Sequence, residues 1–222
     1  MDQTNRLLFD SAAAGNLKAV GEALAKGADV NITNGDGRSA LMRSAKRGHD
    51  DVVALLLENG ADVNLRDKNR KSALMGAAKK GHIDIVRMIV EAGGEVNASD
   101  INGRTALMRA AFLGEDEVVK YLLKHGAECN LTDELGRTAL MEACLAYRVD
   151  VIKELIAHGA DLNLQDINGC TALMRAAYSG YADLVKYLLD QGADKELEDV
   201  DHHKAIHYVR EHTLADLKDY LK

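Results

Sequence analysis

The chain has 222 residues, 47% of them hydrophobic and 28% charged, which is the composition of a folded globular protein and excludes a disordered one. A net charge of −7 argues against general nucleic-acid binding, and no run of eighteen apolar residues is available to span a membrane. The cysteines Cys129, Cys144 and Cys170 stand in unrelated settings, so neither a disulfide framework nor a CxxC metal motif is expected and a reduced compartment follows.

In chain order, the first residues, Met1-Asp-Gln-Thr-Asn-Arg, carry no charged and apolar regions of a signal peptide, which makes the cytoplasm the default location. A signal removed beforehand would leave the same picture, with an exported or periplasmic protein. From there one pattern returns along the whole chain. Its leucine falls at Leu8, Leu41, Leu74, Leu107, Leu140 and Leu173, with Ile206 next, each 33 residues after the last. A fixed period of this length marks an array of stacked units rather than one thick core. Residues 1–32 hold two helices without an opening turn and read as an N-terminal cap. Full repeats follow at 33–65, 66–98, 99–131, 132–164 and 165–197. Residues 198–222 carry Lys204-Ala-Ile-His207 in place of Thr-Ala-Leu-Met, then Leu214, Leu217 and Leu221 among charges, and read as a polar C-terminal cap. The expectation is a single repeat domain over 1–222.

Within a repeat, an acidic turn comes first: Asp67, Asp100, Asp133, Asp166 and Asp199, with Asn34 in the first. Such side chains bond nearby backbone N–H groups and favour turns. Gly37, Gly103, Gly136 and Gly169 follow at the turn tip, where Arg70 is the exception. Then Ser39, Ser72, Thr105, Thr138 or Thr171 is placed to cap a helix that begins Ala-Leu-Met and stops at Gly48, Gly81, Gly114 or Gly180. A second helix opens with an acid and carries Val53, Val86, Val119, Ile152 and Val185 on its buried side. It closes with glycine, and a segment such as Val63-Asn64 or Cys129-Asn130 leads to the next turn.

These residues resemble the ankyrin repeat, whose signature is a turn, Gly-x-Thr-Pro-Leu-His, two short antiparallel helices and Gly-Ala-Asp-Val-Asn. The resemblance covers essentially the whole chain. It implies an all-α fold, an ankyrin-repeat solenoid of helix-turn-helix units joined by β-turn or hairpin loops, with capping repeats at both ends. The departures are regular: alanine replaces the proline at Ala40, Ala73, Ala106, Ala139 and Ala172, and methionine replaces the histidine at Met42, Met75, Met108, Met141 and Met174. This style is more similar to bacterial than to animal members.

The resemblance also implies a partner-binding face made of turn tips and the exposed side of the first helix. Carried over, its helix slots hold Lys46 and Arg47, Lys79 and Lys80, Phe112 and Leu113, Leu145, and Tyr178, with Arg43, Arg109 and Glu142 in an earlier slot. Its turn tips hold Ile101, Arg104, Leu135 and Ile167. Tyr147 stands where glycine is expected and Tyr181 where histidine is. The first half of this face is basic and the second apolar and aromatic, a composition that suits interfaces. The reading is therefore a protein–protein interaction module, most concretely an inhibitor, sequestering or immunity-type protein for a partner enzyme. The partner would present an acidic surface beside an apolar protrusion to a monomeric chain. No cofactor, metal or nucleic acid is expected.

A general scaffold or adaptor is the alternative within that class. In a different class, His203 and His207 lie four apart near His202 and Asp199, a spacing that suits a metal-dependent sensor or enzyme. However, His207 occupies the repeat's own histidine slot. No nucleophile elbow, HExxH, P-loop or GxGxxG is present, and an array of like groups does not make a catalytic pocket of converging unlike ones.

Overall fold

The computed structural model describes residues 2–221, apart from the side chain of His212. The chain divides into two compact units, one made of residues up to Ala106 with Lys124–Gly126, the other of Leu107–Leu123 with Ala127 onward. The first unit holds α1 (Gln3–Ala14), α2 (Leu17–Ala25), α3 (Ala40–Arg47), α4 (Asp50–Glu58), α5 (Ala73–Ala78) and α6 (Ile83–Glu91). The second holds α7 (Ala106–Leu113) and α8 (Asp116–Lys124), each save one end residue. It continues with α9 (Ala139–Leu145), α10 (Val149–Ala157), α11 (Ala172–Ser179), α12 (Ala182–Asp190), a 3-10 turn at Ala205–Tyr208 and α13 (Glu211–Leu221). Strand character among the described residues is confined to isolated antiparallel bridges, Thr33 with Ser39 and Ser99 with Thr105. The described helices include none long and apolar enough to cross a membrane.

Each repeat is built by the same local chemistry. The turn aspartate is buried, and its Oδ1 accepts two backbone N–H groups. At Asp133 these come from Leu135 at 2.9 Å and Arg137 at 3.0 Å, at Asp166 from Asn168 and Cys170 at 2.8 and 2.9 Å. Asn34 does the same with Asp36 and Arg38, which is why the amide suffices in that slot. The tip glycine then takes positive φ, and a side chain there would run into the next turn: a Cβ on Gly169 would stand 2.7 Å from the Asp199 Cα. The hydroxyl that follows caps the first helix, Ser39 Oγ accepting from Met42 N–H at 3.2 Å and Thr138 Oγ1 from Met141 N–H at 3.3 Å.

The first helices turn small residues inward. Ala77, Ala110, Ala143 and Ala176 are fully buried, letting helices such as α3 and α5, or α9 and α11, approach closely. The second helices bury Val53, Val86, Val119, Ile152 and Val185 completely. The asparagine after each second helix joins consecutive repeats. Asn31 Nδ2 donates to the Gly60 carbonyl at 3.2 Å while its Oδ1 accepts from Asp62 N–H at 2.8 Å. Asn64 joins Gly93 and Glu95 in the same way, and Asn130 joins Gly159 and Asp161.

Three residues other than glycine adopt positive φ among those described: Arg70 at 59°, Tyr147 at 54° and His202 at 63°. Arg70 and His202 sit at turn tips, Tyr147 at the stop of α9.

Candidate partner-binding surface

In the first unit, α3 and α5 lie side by side: a side chain on Gly76 would meet the Lys46 Cβ at 3.3 Å. The helix ends carry Lys46, Arg47, Lys79 and Lys80, all exposed, where cations complement the negative end of the helix dipole. The turn between them adds exposed Lys68, Arg70 and Lys71. That turn is tied to the preceding one by the Lys68 N–H, which donates to the Asp36 carbonyl at 2.9 Å. Ile101 is exposed on the next turn and Arg104 half-buried.

Arg43 differs from the exposed residue that its slot implies. It is half-buried, and its guanidinium lies 4.7 Å from the centre of the Phe9 ring. Burial, then the neighbouring Arg47, lower its pKa from the usual arginine value, against the pull of Asp10. The reason lies in the turn of its own repeat. In repeat 165–197 the arginine of the same slot, Arg175, pairs with the turn carboxylate of Asp166. Arg43 faces a turn begun by Asn34, which offers no such charge.

In the second unit four of the apolar residues expected at the surface are exposed. Ile167 is 59% exposed, Tyr178 54%, Leu135 46% and Phe112 39%. Neighbouring turns are joined by Ile167 N–H to the Leu135 carbonyl at 3.1 Å and Val200 N–H to the Asn168 carbonyl at 3.0 Å. Val200, also exposed, extends the row and was missed from sequence, although it stands 33 residues after Ile167. Leu113, Leu145 and Arg109 are half-buried. Tyr178 lies under the Arg210 guanidinium, 5.4 Å from its ring centre.

Tyr147 and Tyr181 are turned to each other. Their rings stack with centroids 3.8 Å apart, and the Tyr147 hydroxyl donates to Asp183. That hydrogen bond, then burial, raises the Tyr147 pKa. Elsewhere the same two slots hold glycine and a histidine whose ring covers it: His49 over Gly15 and His82 over Gly48.

Glu142 is a correction. Its slot implied an exposed residue, but it is 3% exposed, with its carboxylate 3.2 Å from Arg137 Nη1. Arg137 also donates to Asp133 through Nε at 2.9 Å and Nη2 at 2.7 Å. Burial works to raise the Asp133 pKa, yet the Arg137 side chain and the backbone N–H groups outweigh it and hold the carboxyl below the usual range.

In the C-terminal cap, Asp199, Asp201 and His203 bring ligand atoms within 4.8 Å of one another. Asp199 is committed to the turn it shares with every repeat: Oδ1 accepts from Asp201 N–H and His203 N–H, and Oδ2 accepts from the Tyr208 hydroxyl. His207 does not join the group, because its Nδ1 accepts the Lys204 N–H at 2.9 Å. Two of the thiols are held away from nucleophilic chemistry by burial. Cys144 is fully buried and burial pushes its pKa up, as it does less strongly for Cys129. A shallow cavity of about 550 Å³ in the first unit is lined by Arg66, Arg70, Glu95 and His125 among others, and Arg66 there is held by Glu95 and the Ser99 carbonyl.

A family model described as ankyrin repeats (3 copies) matches residues 8–100, 66–133 and 107–199. The chain belongs to the ankyrin-repeat family. Among solved structures it is similar to the crystal structure of the human ASB11 ankyrin repeat domain, at 26% sequence identity and a TM-score of 0.84, the match covering 95% of this chain and 96% of that one. No curated protein matches. Both comparisons agree with the all-helical ankyrin-repeat fold described above, and an ankyrin-repeat chain is a protein–protein interaction module.

Proposed function

We propose that this ankyrin-repeat chain acts by occupying a partner protein, as an inhibitor, sequestering or immunity-type protein for a partner enzyme. One observation carries the reading: the second unit keeps Leu135, Ile167, Tyr178 and Val200 on its surface, on turns and a helix end that the repeat's own packing leaves free. Clustered exposed apolar residues mark binding surfaces, and rigid aromatics anchor them. The partner sets an apolar protrusion against these residues and acidic groups toward the lysines and arginines of the first unit. The chain binds as a monomer.

The test begins with the protein recovered bound to the chain from its native cells. Titrating the purified partner should abolish its activity at a one-to-one ratio. Truncating Phe112 and Tyr178 together to alanine should speed dissociation by about tenfold or more while the thermal melt stays put, because buried aromatic anchors are worth roughly 2 kcal/mol each and act on off-rates. Full binding by that double variant would move the site elsewhere. A partner that stays fully active when saturated would make the chain an adaptor instead.

A further inference from the structure

Lys46, Arg47, Lys68, Arg70, Lys71 and Lys80 are exposed and, among the described residues, enter no ion pair. They come from two neighbouring repeats of a chain whose net charge is −7. In the second unit the arginine in the turn slot of Lys71, Arg137, is neutralised in place by Asp133 and Glu142. Like charges crowded together repel, and an oppositely charged ligand relieves that repulsion. Helix-end lysines have a local reason to be where they are, the helix dipole. The turn cations have none, and Arg70 holds a positive φ that glycine takes without strain.

The chemistry of the surroundings narrows the occupant. The exposed positions at the ends of α3 and α5 are Lys46, Arg47, Lys79 and Lys80, with no aromatic among them. A strip of this kind offers charge without the stacking platforms that single-stranded nucleic acids use. Its geometry suits a polypeptide in extended form. Packed helices lie about 10 Å apart, and a chain in the extended polyproline II form has about three residues per turn and advances about 3.1 Å per residue, so acids three residues apart share one face and reach successive repeats.

We propose that the first unit binds an extended Asp/Glu-rich segment of the partner. The segment lies across the ends of α3 and α5, with acids at every third residue meeting Lys46 and Arg47, then Lys79 and Lys80, while Lys68 and Lys71 flank it from the turn. This rests on the reading of the chain as a partner-binding module and names the chemistry of one part of its ligand.

The experiment needs no partner. A fluorescent peptide with glutamate at every third residue among glycine and serine is titrated with the full chain by anisotropy at low and high salt. The same peptide with glutamine, and a single-stranded DNA of equal charge, are run beside it. The glutamate peptide should bind, weaken in high salt, and outcompete both comparisons. Lys46→Glu, Arg47→Glu, Lys79→Glu and Lys80→Glu together should lower its affinity by about tenfold or more with an unchanged circular-dichroism melt. Reversing four exposed lysines elsewhere, Lys26, Lys124, Lys153 and Lys218, keeps the net charge equal and should leave the peptide bound. No binding, or equal loss in both reversed variants, overturns the proposal, and tighter binding of the DNA replaces the peptide with a nucleic acid. The Phe112 and Tyr178 variant binds the peptide normally in every case, so failure here and failure of the apolar surface are told apart.

Discussion

At Gly15 and Gly48 the ring of a histidine from the following repeat stands 2.7 Å from where a Cβ would be. Glycine and histidine are paired at these two places, while Gly114 is met by Arg148 instead. Tyr147 and Tyr181 replace both members at once, and stacking takes over from the histidine's cover. From sequence alone, Tyr147→Gly should stabilise the fold or leave it unchanged, since a left-handed backbone strains a non-glycine residue by about 1 kcal/mol. The structure alters that expectation. Relief of strain is offset by losing the stack, about 1 kcal/mol, and the hydrogen bond to Asp183. Tyr147→Gly alone should destabilise by up to about 1 kcal/mol, and Tyr181→His alone by more, because the imidazole would meet Tyr147. Together they should return the stability of the parent. Urea melts of the four proteins decide it, and simple additivity would mean that the two positions are independent.

The turn of repeat 132–164 shows how an element keeps its shape while its partners change. Asp133 builds the turn through Oδ1 and holds Arg137 through Oδ2. Asparagine builds the same turn at Asn34, so Asp133→Asn should keep the turn and lose only the charge. We expect a loss of about 1–2 kcal/mol at neutral pH, the size of a hydrogen bond to a charged group. The folded Asp133 pKa lies below the unfolded one, so its contribution is complete above the usual carboxylate range and is lost as pH falls through the folded value. The gap between parent and Asp133→Asn should therefore close in acid. A gap that stays constant with pH would assign the stability to the turn and not to the ion pair. The turns, caps and helix pairs were legible in the sequence because they depend on residues within about four of each other. The Asp133–Arg137–Glu142 group was not, because Glu142 takes a slot where Arg109 and Arg175 lead one to expect a cation, and a buried acid there is explained only by Arg137 reaching it. The Tyr147 and Tyr181 stack spans two repeats, and only their joint departure from the pattern hinted at it.

At the scale of the molecule, stability is shared between neighbours inside each unit, since each thin layer of alanine and leucine there is closed by the layers beside it. Ala110 has no exposed surface, so Ala110→Arg forces a charge among packed helices and should lower stability by about 3 kcal/mol or more. Hydrogen exchange should quicken through the adjoining layer as well as in α7. A melting temperature equal to the parent's would take Ala110 out of the core.

The asparagine bridges also bear on how such a chain changes length. Asn31 reaches Gly60 and Asp62, Asn64 reaches Gly93 and Glu95, and Asn130 reaches Gly159 and Asp161, donor and acceptor always at the same offsets. Duplicating or excising one whole period hands each asparagine an equivalent carbonyl and N–H. An insertion of any other size between an asparagine and its carbonyl leaves an amide facing the wrong residue, unless the extra chain bulges out of the loop. Bulges aside, the bridges tolerate changes of length only in whole periods.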